Sequence, residues 1–102
     1  MIKLRYIILF FNILTTCVFA SSLEKEFRST WVITWEYITS SQNADETMNR
    51  IDQIMDNHVT ANMNAVFFQV RQSGTSYYSS SYEPWGYYAV YEYPGFDPLQ
   101  YA

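Results

Sequence analysis

Cysteine and histidine are almost absent from this chain of 102 residues, and their scarcity excludes several kinds of site. Cys17 and His58 are the single residues of their types. Cys17 lies in an N-terminal segment that we expect to be cleaved, so the mature chain can form neither a disulfide framework nor a thiolate metal site. One histidine is too few for a histidine metal cluster. We therefore expect no metal and no cofactor.

Basic residues are also few, with six Lys and Arg against ten Asp and Glu. Lys3 and Arg5 fall in the segment expected to be cleaved, so four basic and ten acidic residues remain, a net charge of −6. Nucleic acids and anionic membranes bind through positive charge, which this chain lacks. We expect no nucleic-acid partner and, after cleavage, no membrane partner.

Residues 1–20 have the pattern of a secretory signal peptide. A basic start is followed by an apolar block over residues 6–14, and Val18 and Ala20 stand at the positions that signal peptidase reads. An uncleaved membrane anchor is the alternative, but the block is short for a bilayer span. We predict cleavage after Ala20, a polar lead-in over residues 21–26, and a secreted or periplasmic protein with one domain over residues 27–102.

Residues 65–71 form the stretch around which the rest of the chain is organised. Four consecutive apolar residues, 65–68, precede Gln69, and Val70 makes a fifth apolar position before Arg71; Gln69 and Arg71 form the polar tip. A strand that is apolar on both faces is typical of a parallel sheet covered on both sides by helices. Ligands bind at the carboxyl ends of such strands, so we expect Gln69 and Arg71 to face a substrate cleft.

A second strand and a helix precede this stretch. Residues 27–35 are rich in strand-forming types and end in Trp35 and Glu36. Asn43 is a good N-cap, and Glu46 occupies the capping-box position. The apolar stripe of the helix consists of Met48, Ile51, Ile54, Met55 and Val59. His58 borders this stripe as a partly buried residue without a chemical role. Residues 62–64 end the helix, and the order strand–helix–strand predicts a right-handed parallel βαβ unit.

Residues 72–96 show neither a helical nor a strand period, and a loop of this length is typical of a functional segment. Asp97 and Pro98 then start a new helix as N-cap and first helical residue. The sequence stops within two turns of that start, so we expect the chain to be the N-terminal part of a longer protein. On its own it is expected to be inactive and poorly folded, because two strands leave unpaired edges.

The long loop carries most of the aromatic residues, with Glu83 and Glu92 among them. Tyrosine and tryptophan rings offer flat platforms to sugar rings, and their polar atoms hydrogen-bond to sugar hydroxyls. About half of these rings are expected only to pack the loop onto the sheet. Arg71 either binds a carboxylate or forms a structural ion pair with Glu36 or Glu83. The substrate-binding candidates are Trp35, Glu36, Gln69, Arg71, Tyr77, Tyr78, Glu83 and Trp85.

Five segments occur in an order and spacing that resemble the start of the glycosyl hydrolase-like 10 family. They are EFRSTWV (26–32), NAVFFQVR (64–71), SYYSS (76–80), EPW (83–85) and PGFDPL (94–99). The resemblance implies an α/β fold, the N-terminal part of a (β/α)₈ TIM barrel with strand 1, helix 1, strand 2, the long loop and the start of helix 2. It also implies an exported glycoside hydrolase that acts on a polysaccharide, with peptidoglycan glycan strands as a substrate.

The resemblance places the catalytic acids on later strands, so the catalytic residues lie outside this chain. The family has an acidic residue shortly after the strand-two arginine, whereas this chain has Gln72-Ser73-Gly74-Thr75. The alternative function is a non-catalytic carbohydrate-binding or cell-surface module in which the tyrosine-rich loop does all the binding.

Overall fold

The computed structural model describes residues 26–102, which form a strand–helix–strand unit followed by a long structured loop. The predicted signal peptide, residues 1–20, and the lead-in up to residue 25 lie outside the described residues. Strand β1 (Ser29–Val32) pairs in parallel with β2 (Ala65–Phe68), with Ser29 opposite Ala65 and Val32 opposite Phe68. The predicted parallel pairing is therefore confirmed.

Both strands are shorter than the sequence predicted. A short helix, α1 (Thr34–Tyr37), replaces the end of the first strand. The Glu36 carboxylate accepts a hydrogen bond of 2.9 Å from the Ile33 backbone N–H, which caps this turn. Local capping thus overrides the strand preference of the β-branched and aromatic residues, because the free-energy cost of placing each of them in a single helical turn is small.

Helix α2 (Ala44–Thr60) begins where the sequence predicted. Asn43 and Glu46 form a reciprocal capping box, with hydrogen bonds of 2.9 Å in both directions. The helix buries Ile51 and Ile54, as the stripe predicted, but the prediction for Val59 was wrong, since 76% of that residue is exposed.

The helix ends as expected, with Asn62 in the left-handed conformation at φ 57°. His58 is tied between helix and strand: its Nδ1 is 2.7 Å from the Ile54 carbonyl oxygen, and its Nε2 contacts the Thr30 hydroxyl. The Ile54 carbonyl can only accept, so Nδ1 donates to it, while Nε2 and the Thr30 hydroxyl form the second hydrogen bond. This partly buried, structural histidine matches its predicted place in the helix.

Only one face of the two-stranded sheet is covered by the described residues. Val32, Val66 and Phe68 pack into the core that includes Ile51 and Ile54 of the helix. The other face presents three aromatic rings to solvent. They are Phe27 (65% exposed), Trp31 (62%) and Phe67 (51%). The expectation of a strand covered on both faces is therefore not met within residues 26–102, where nothing packs on this aromatic face.

The loop after β2 contains regular structure that the sequence analysis missed. Strands β3 (Arg71–Gln72) and β4 (Thr75–Ser76) form an antiparallel hairpin. Its two turn residues, Ser73 at φ 52° and Gly74 at φ 74°, both adopt the left-handed conformation that two-residue hairpin turns require. A 3₁₀ turn spans Tyr87–Ala89. Arg71 therefore belongs to this hairpin and not to the end of β2.

The chain continues into helix α3 (Pro98–Tyr101) at the predicted residue. Asp97 Oδ1 accepts from the N–H groups of Leu99 and Gln100, at 3.0 and 3.1 Å. Residues 26–102 contain two sheets of two strands each, so the (β/α)₈ barrel remains a prediction. No helix within these residues is both long and apolar enough to cross a membrane.

Candidate functional site

The loop begins at the carboxyl ends of the parallel strands and is anchored there by three hydrogen bonds. The Gln69 N–H donates to the Val32 carbonyl at 2.9 Å, and the Tyr37 hydroxyl donates to the Gln69 carbonyl at 2.8 Å. The Thr34 hydroxyl also donates to the Gln72 side-chain oxygen. Residues that follow β1 and residues that follow β2 thus meet at one edge of the sheet, as the parallel arrangement requires.

Tyr37 is the centre of this junction. It is fully buried, and its ring stacks on Phe68 with 4.3 Å between the ring centroids. Burial raises the pKa of the Tyr37 hydroxyl well above its ordinary value of about 10, with a smaller contribution from Tyr77. The hydroxyl therefore stays protonated and serves as a hydrogen-bond donor to the loop backbone.

Arg71 makes an ion pair with Glu83 across the start of the loop. The Arg71 Nε lies 2.7 and 2.9 Å from the two Glu83 carboxylate oxygens, and Nη2 lies 2.6 Å from Oε1. The hydrogen bond from Arg71 lowers the pKa of Glu83, and the same contact raises the pKa of Arg71. Of the alternatives predicted for Arg71, the structure has the ion pair with Glu83, while 62% of the arginine side chain stays accessible.

Trp35 and Glu36 lie in α1, beside the same edge. The Trp35 ring is 47% exposed and lies 6.3 Å from that of Tyr88 in the loop. The Glu36 carboxylate caps α1, and its backbone carbonyl accepts from Arg50 Nε at 2.9 Å. Trp35 therefore offers a free aromatic surface, whereas Glu36 holds the turn that positions it.

Tyr77 and Trp85 form the interior of the loop. Tyr77 is 1% exposed, and its hydroxyl accepts from the Tyr88 N–H at 3.3 Å. Burial also raises the pKa of Tyr77. Trp85 is half-buried, with its ring centroid 5.7 Å from that of Tyr93. These two predicted binding residues mainly pack the loop, because a segment of this length needs a small core of its own.

A cleft of about 280 Å³ opens between the hairpin and the 3₁₀ turn. It is lined by Gln72, Ser73, Thr75, Tyr77, Tyr87, Tyr88 and Tyr91. All of these side chains are uncharged and most carry a hydroxyl or amide group. We call this hollow the tyrosine cleft; its chemistry suits hydrogen bonding and ring stacking, and none of its lining residues is Asp, Glu or His.

The cleft overlaps the predicted site at one residue, Tyr77. Gln69, Arg71, Tyr78 and Glu83 lie next to it along the chain but do not line it. Most of the lining residues are not among the predicted site residues. They are Gln72, Ser73, Thr75, Tyr87, Tyr88 and Tyr91. The pair Ser73-Gly74 was the available signal, because it predicts a hairpin turn that brings Gln72 and Thr75 together.

Residues 26–102 contain no group of three or more His, Cys, Asp or Glu side chains placed to hold a metal ion. Comparisons of the chain with protein-family models, with curated proteins and with solved structures found no match.

Proposed function

We propose that the chain forms the first part of an exported (β/α)₈ glycoside hydrolase-like domain that hydrolyses O-glycosyl bonds of a polysaccharide. Glycan strands of peptidoglycan are the candidate substrate, in line with the resemblance to the glycosyl hydrolase-like 10 family. The observation that carries the proposal is the position of the aromatic loop at the carboxyl edge of a parallel β1–α2–β2 unit. Substrates of parallel α/β barrels bind at that edge.

The uncovered aromatic face of the sheet supports the barrel part of the proposal. Trp31 and Phe67 stand side by side on β1 and β2, with 5.8 Å between ring centroids. Exposed apolar groups of this size, next to the open edges of two strands, are unfavourable in water. Further strands that extended the sheet and curved over this face would bury them as the interior of a barrel.

Glu36 and Glu83, the two glutamates near this edge, have a binding or structural role and do not act as catalytic acids. Glycoside hydrolysis needs one carboxylic acid whose pKa is raised so that it can protonate the leaving oxygen. The pKa of Glu83 is lowered by Arg71, which is the opposite direction, and the Glu36 carboxylate is occupied by the Ile33 N–H. The catalytic carboxylates of the proposed enzyme are therefore expected on other strands.

The test is a hydrolysis assay with the purified complete domain, of which this chain is proposed to be the first part. Peptidoglycan glycan strands stripped of peptides serve as substrate, and new reducing ends are counted over time. We expect reducing ends to accumulate, and a Trp35→Ala variant to raise KM because it removes an exposed platform beside the cleft. A protein that releases no reducing ends from these strands or from a panel of other polysaccharides would contradict the proposal.

The second candidate is a non-catalytic carbohydrate-binding module, and the packing of the loop favours it. The loop has its own core around Tyr77 and Ala89, so its exposed rings are positioned without help from further strands. A protein that binds polysaccharide in a pull-down but never cleaves it would identify this second function.

A further inference from the structure

The tyrosine cleft is neutral although the chain is acidic. The chain carries a net charge of −4, yet none of the seven lining residues is Asp, Glu, Lys, Arg or His. Arg71 and Glu83, the nearest ion pair along the chain, neutralise each other outside the lining. A charged ligand would therefore find no partner charge in the cleft, while an uncharged polar ligand needs only hydrogen bonds to offset its loss of water.

The cleft holds unused hydrogen-bonding groups. The Gln72 side-chain oxygen accepts from Thr34, and the two N–H donors of the same amide make no hydrogen bond within residues 26–102. The hydroxyls of Tyr87, Tyr88 and Tyr91 likewise make none among the described residues. A ligand with several hydroxyl groups can use both kinds of group.

The backbone next to the cleft is strained in two consecutive residues. Val90 and Tyr91 have φ angles of 56° and 59°, in the left-handed region that a β-branched residue such as valine rarely adopts. Val90 is 62% exposed, so packing of its side chain does not explain the conformation. Such strain is concentrated at ligand-binding segments, where the surrounding structure enforces it.

Tyr91, the second residue of this pair, lines the cleft. The Tyr91 N–H donates to the Gly86 carbonyl at 3.0 Å, which holds the turn closed. The Tyr91 and Tyr87 rings meet edge to face, 6.1 Å apart, and both are about 60% exposed. The cleft is thus lined by the aromatic rings of Tyr87 and Tyr91 together with the polar side chains of Gln72 and Thr75.

We propose that the tyrosine cleft is a binding subsite for one uncharged pyranose unit of a glycan, with Tyr91 as the residue that selects for it by ring stacking. The inference deepens the proposed function and rests on it for the class of ligand. A volume of about 280 Å³ lies just below the usual range of small-ligand pockets, which fits a single sugar ring better than an extended peptide. Proline-rich peptides also bind tyrosine-lined surfaces and are the competing occupant.

The experiment measures binding by fluorescence titration of the purified protein with three probes of similar length. These are the neutral cellotetraose, the anionic tetragalacturonate and a proline-rich decapeptide. We expect cellotetraose to bind and the other two to bind at least tenfold more weakly. Tyr91→Ala should weaken cellotetraose binding about tenfold, whereas Tyr91→Phe should retain it because the ring remains.

Tyr82→Ala is the matched control, because Tyr82 is 95% exposed and lies outside the cleft. Val90→Asn is a second control: asparagine tolerates the left-handed conformation, so binding should be unchanged while the melting temperature rises. Preferred binding of tetragalacturonate or of the peptide would overturn the inference, and so would equal losses in Tyr91→Ala and Tyr82→Ala. Glycan hydrolysis without cellotetraose binding would refute the subsite but not the proposed enzyme. Cellotetraose binding without glycan hydrolysis would refute the proposed enzyme but not the subsite.

Discussion

The strand–helix–strand unit and the loop that follows it are stabilised in different ways. The unit buries aliphatic residues such as Ile51 and Ile54 between a helix and a sheet, and leaves its aromatic residues on an open face. The loop instead buries an aromatic residue, Tyr77, against backbone, and keeps Tyr87 and Tyr91 at the surface. The comparison indicates that the loop holds its exposed rings around a small core of its own, whereas the exposed rings of the sheet lie on a face that nothing covers within residues 26–102.

The largest expected effect is in the loop, at Gly86. A Cβ at this buried position would overlap the Tyr77 ring, so Gly86→Ala forces either the ring or the turn to move. We expect a loss of about 2–3 kcal/mol in the free energy of unfolding, as for overpacked cores. Urea denaturation of the purified protein measures it.

Gly74→Ala is the matched control for that experiment. A Cβ at Gly74 meets nothing within 4 Å, but φ is 74°, so the cost is limited to backbone strain of about 1 kcal/mol. Equal losses in the two variants would show that the contact between Gly86 and Tyr77 does not hold the loop together.

The next largest loss of stability is expected at the helix N-caps, of which each region has one. Asp97 caps α3 and also accepts from the Ser79 N–H at 2.8 Å, so it ties the loop to the helix, whereas Asn43 caps α2 alone. Burial tends to raise the pKa of Asp97, but these hydrogen bonds outweigh it and hold the pKa below its ordinary value. We expect Asp97→Ala to cost about 2 kcal/mol and Asn43→Ala about 1 kcal/mol.

The two cap variants also differ in their dependence on pH. A lowered pKa means that the contribution of Asp97 is complete above the pKa of the unfolded chain, near 3.9, and is lost as the pH falls through the lower value of the folded state. Denaturation of the wild type and both variants at pH 7 and pH 3 tests this. An Asp97→Ala variant that loses as much stability as the wild type on acidification would contradict it.

The Tyr37 hydroxyl links the two regions, and its removal is expected to change the free energy of unfolding by a smaller amount. Tyr37→Phe breaks the hydrogen bond to the Gln69 carbonyl, at a cost of about 1 kcal/mol at pH 7. Since burial raises the pKa of Tyr37 in the folded state, the wild type loses stability as the pH rises above about 10, by about 1.4 kcal/mol at pH 11. The variant lacks this loss, so the difference between the two should disappear near pH 11 in urea titrations.

The smallest effect on stability is expected for the ion pair at the start of the loop. Arg71→Ala and Glu83→Ala should each change the urea midpoint little, because the Arg71 side chain is largely exposed and solvent screens the ion pair. A double-mutant cycle measures the coupling. A large coupling that persists in 1 M NaCl would show that Arg71 is a main structural support of the loop and so weaken its assignment to the binding edge.

The sequence predicted those parts of the fold that depend on neighbouring residues. Asn43 with Glu46, and Asp97 with Pro98, are local signals, and both helices start there. The parallel pairing followed from the strand–helix–strand order. The turn at Thr34–Tyr37 was missed because its residues favour strands individually, and the capping by Glu36 depends on one side-chain rotamer.

The candidate site was less predictable because its geometry depends on residues that are far apart in the sequence. The burial of Tyr77 follows from Gly86, nine positions later, and no periodic pattern marks it. Val90 and Tyr91 belong to residue types that disfavour the left-handed conformation, so their positive φ angles could not be predicted from the sequence. Gln72 faces Thr34 only because a two-residue hairpin follows β2, and strands that short have no detectable period.

The central claim is that a glycan binds at the carboxyl edge of the parallel strands, against the loop. Amide chemical-shift mapping by NMR with cellotetraose tests it most directly. We predict that the shifted amides cluster at residues 69–76 and 87–91, around the tyrosine cleft. Shifts confined to the face formed by Phe27, Trp31 and Phe67, with the loop unperturbed, would contradict the claim.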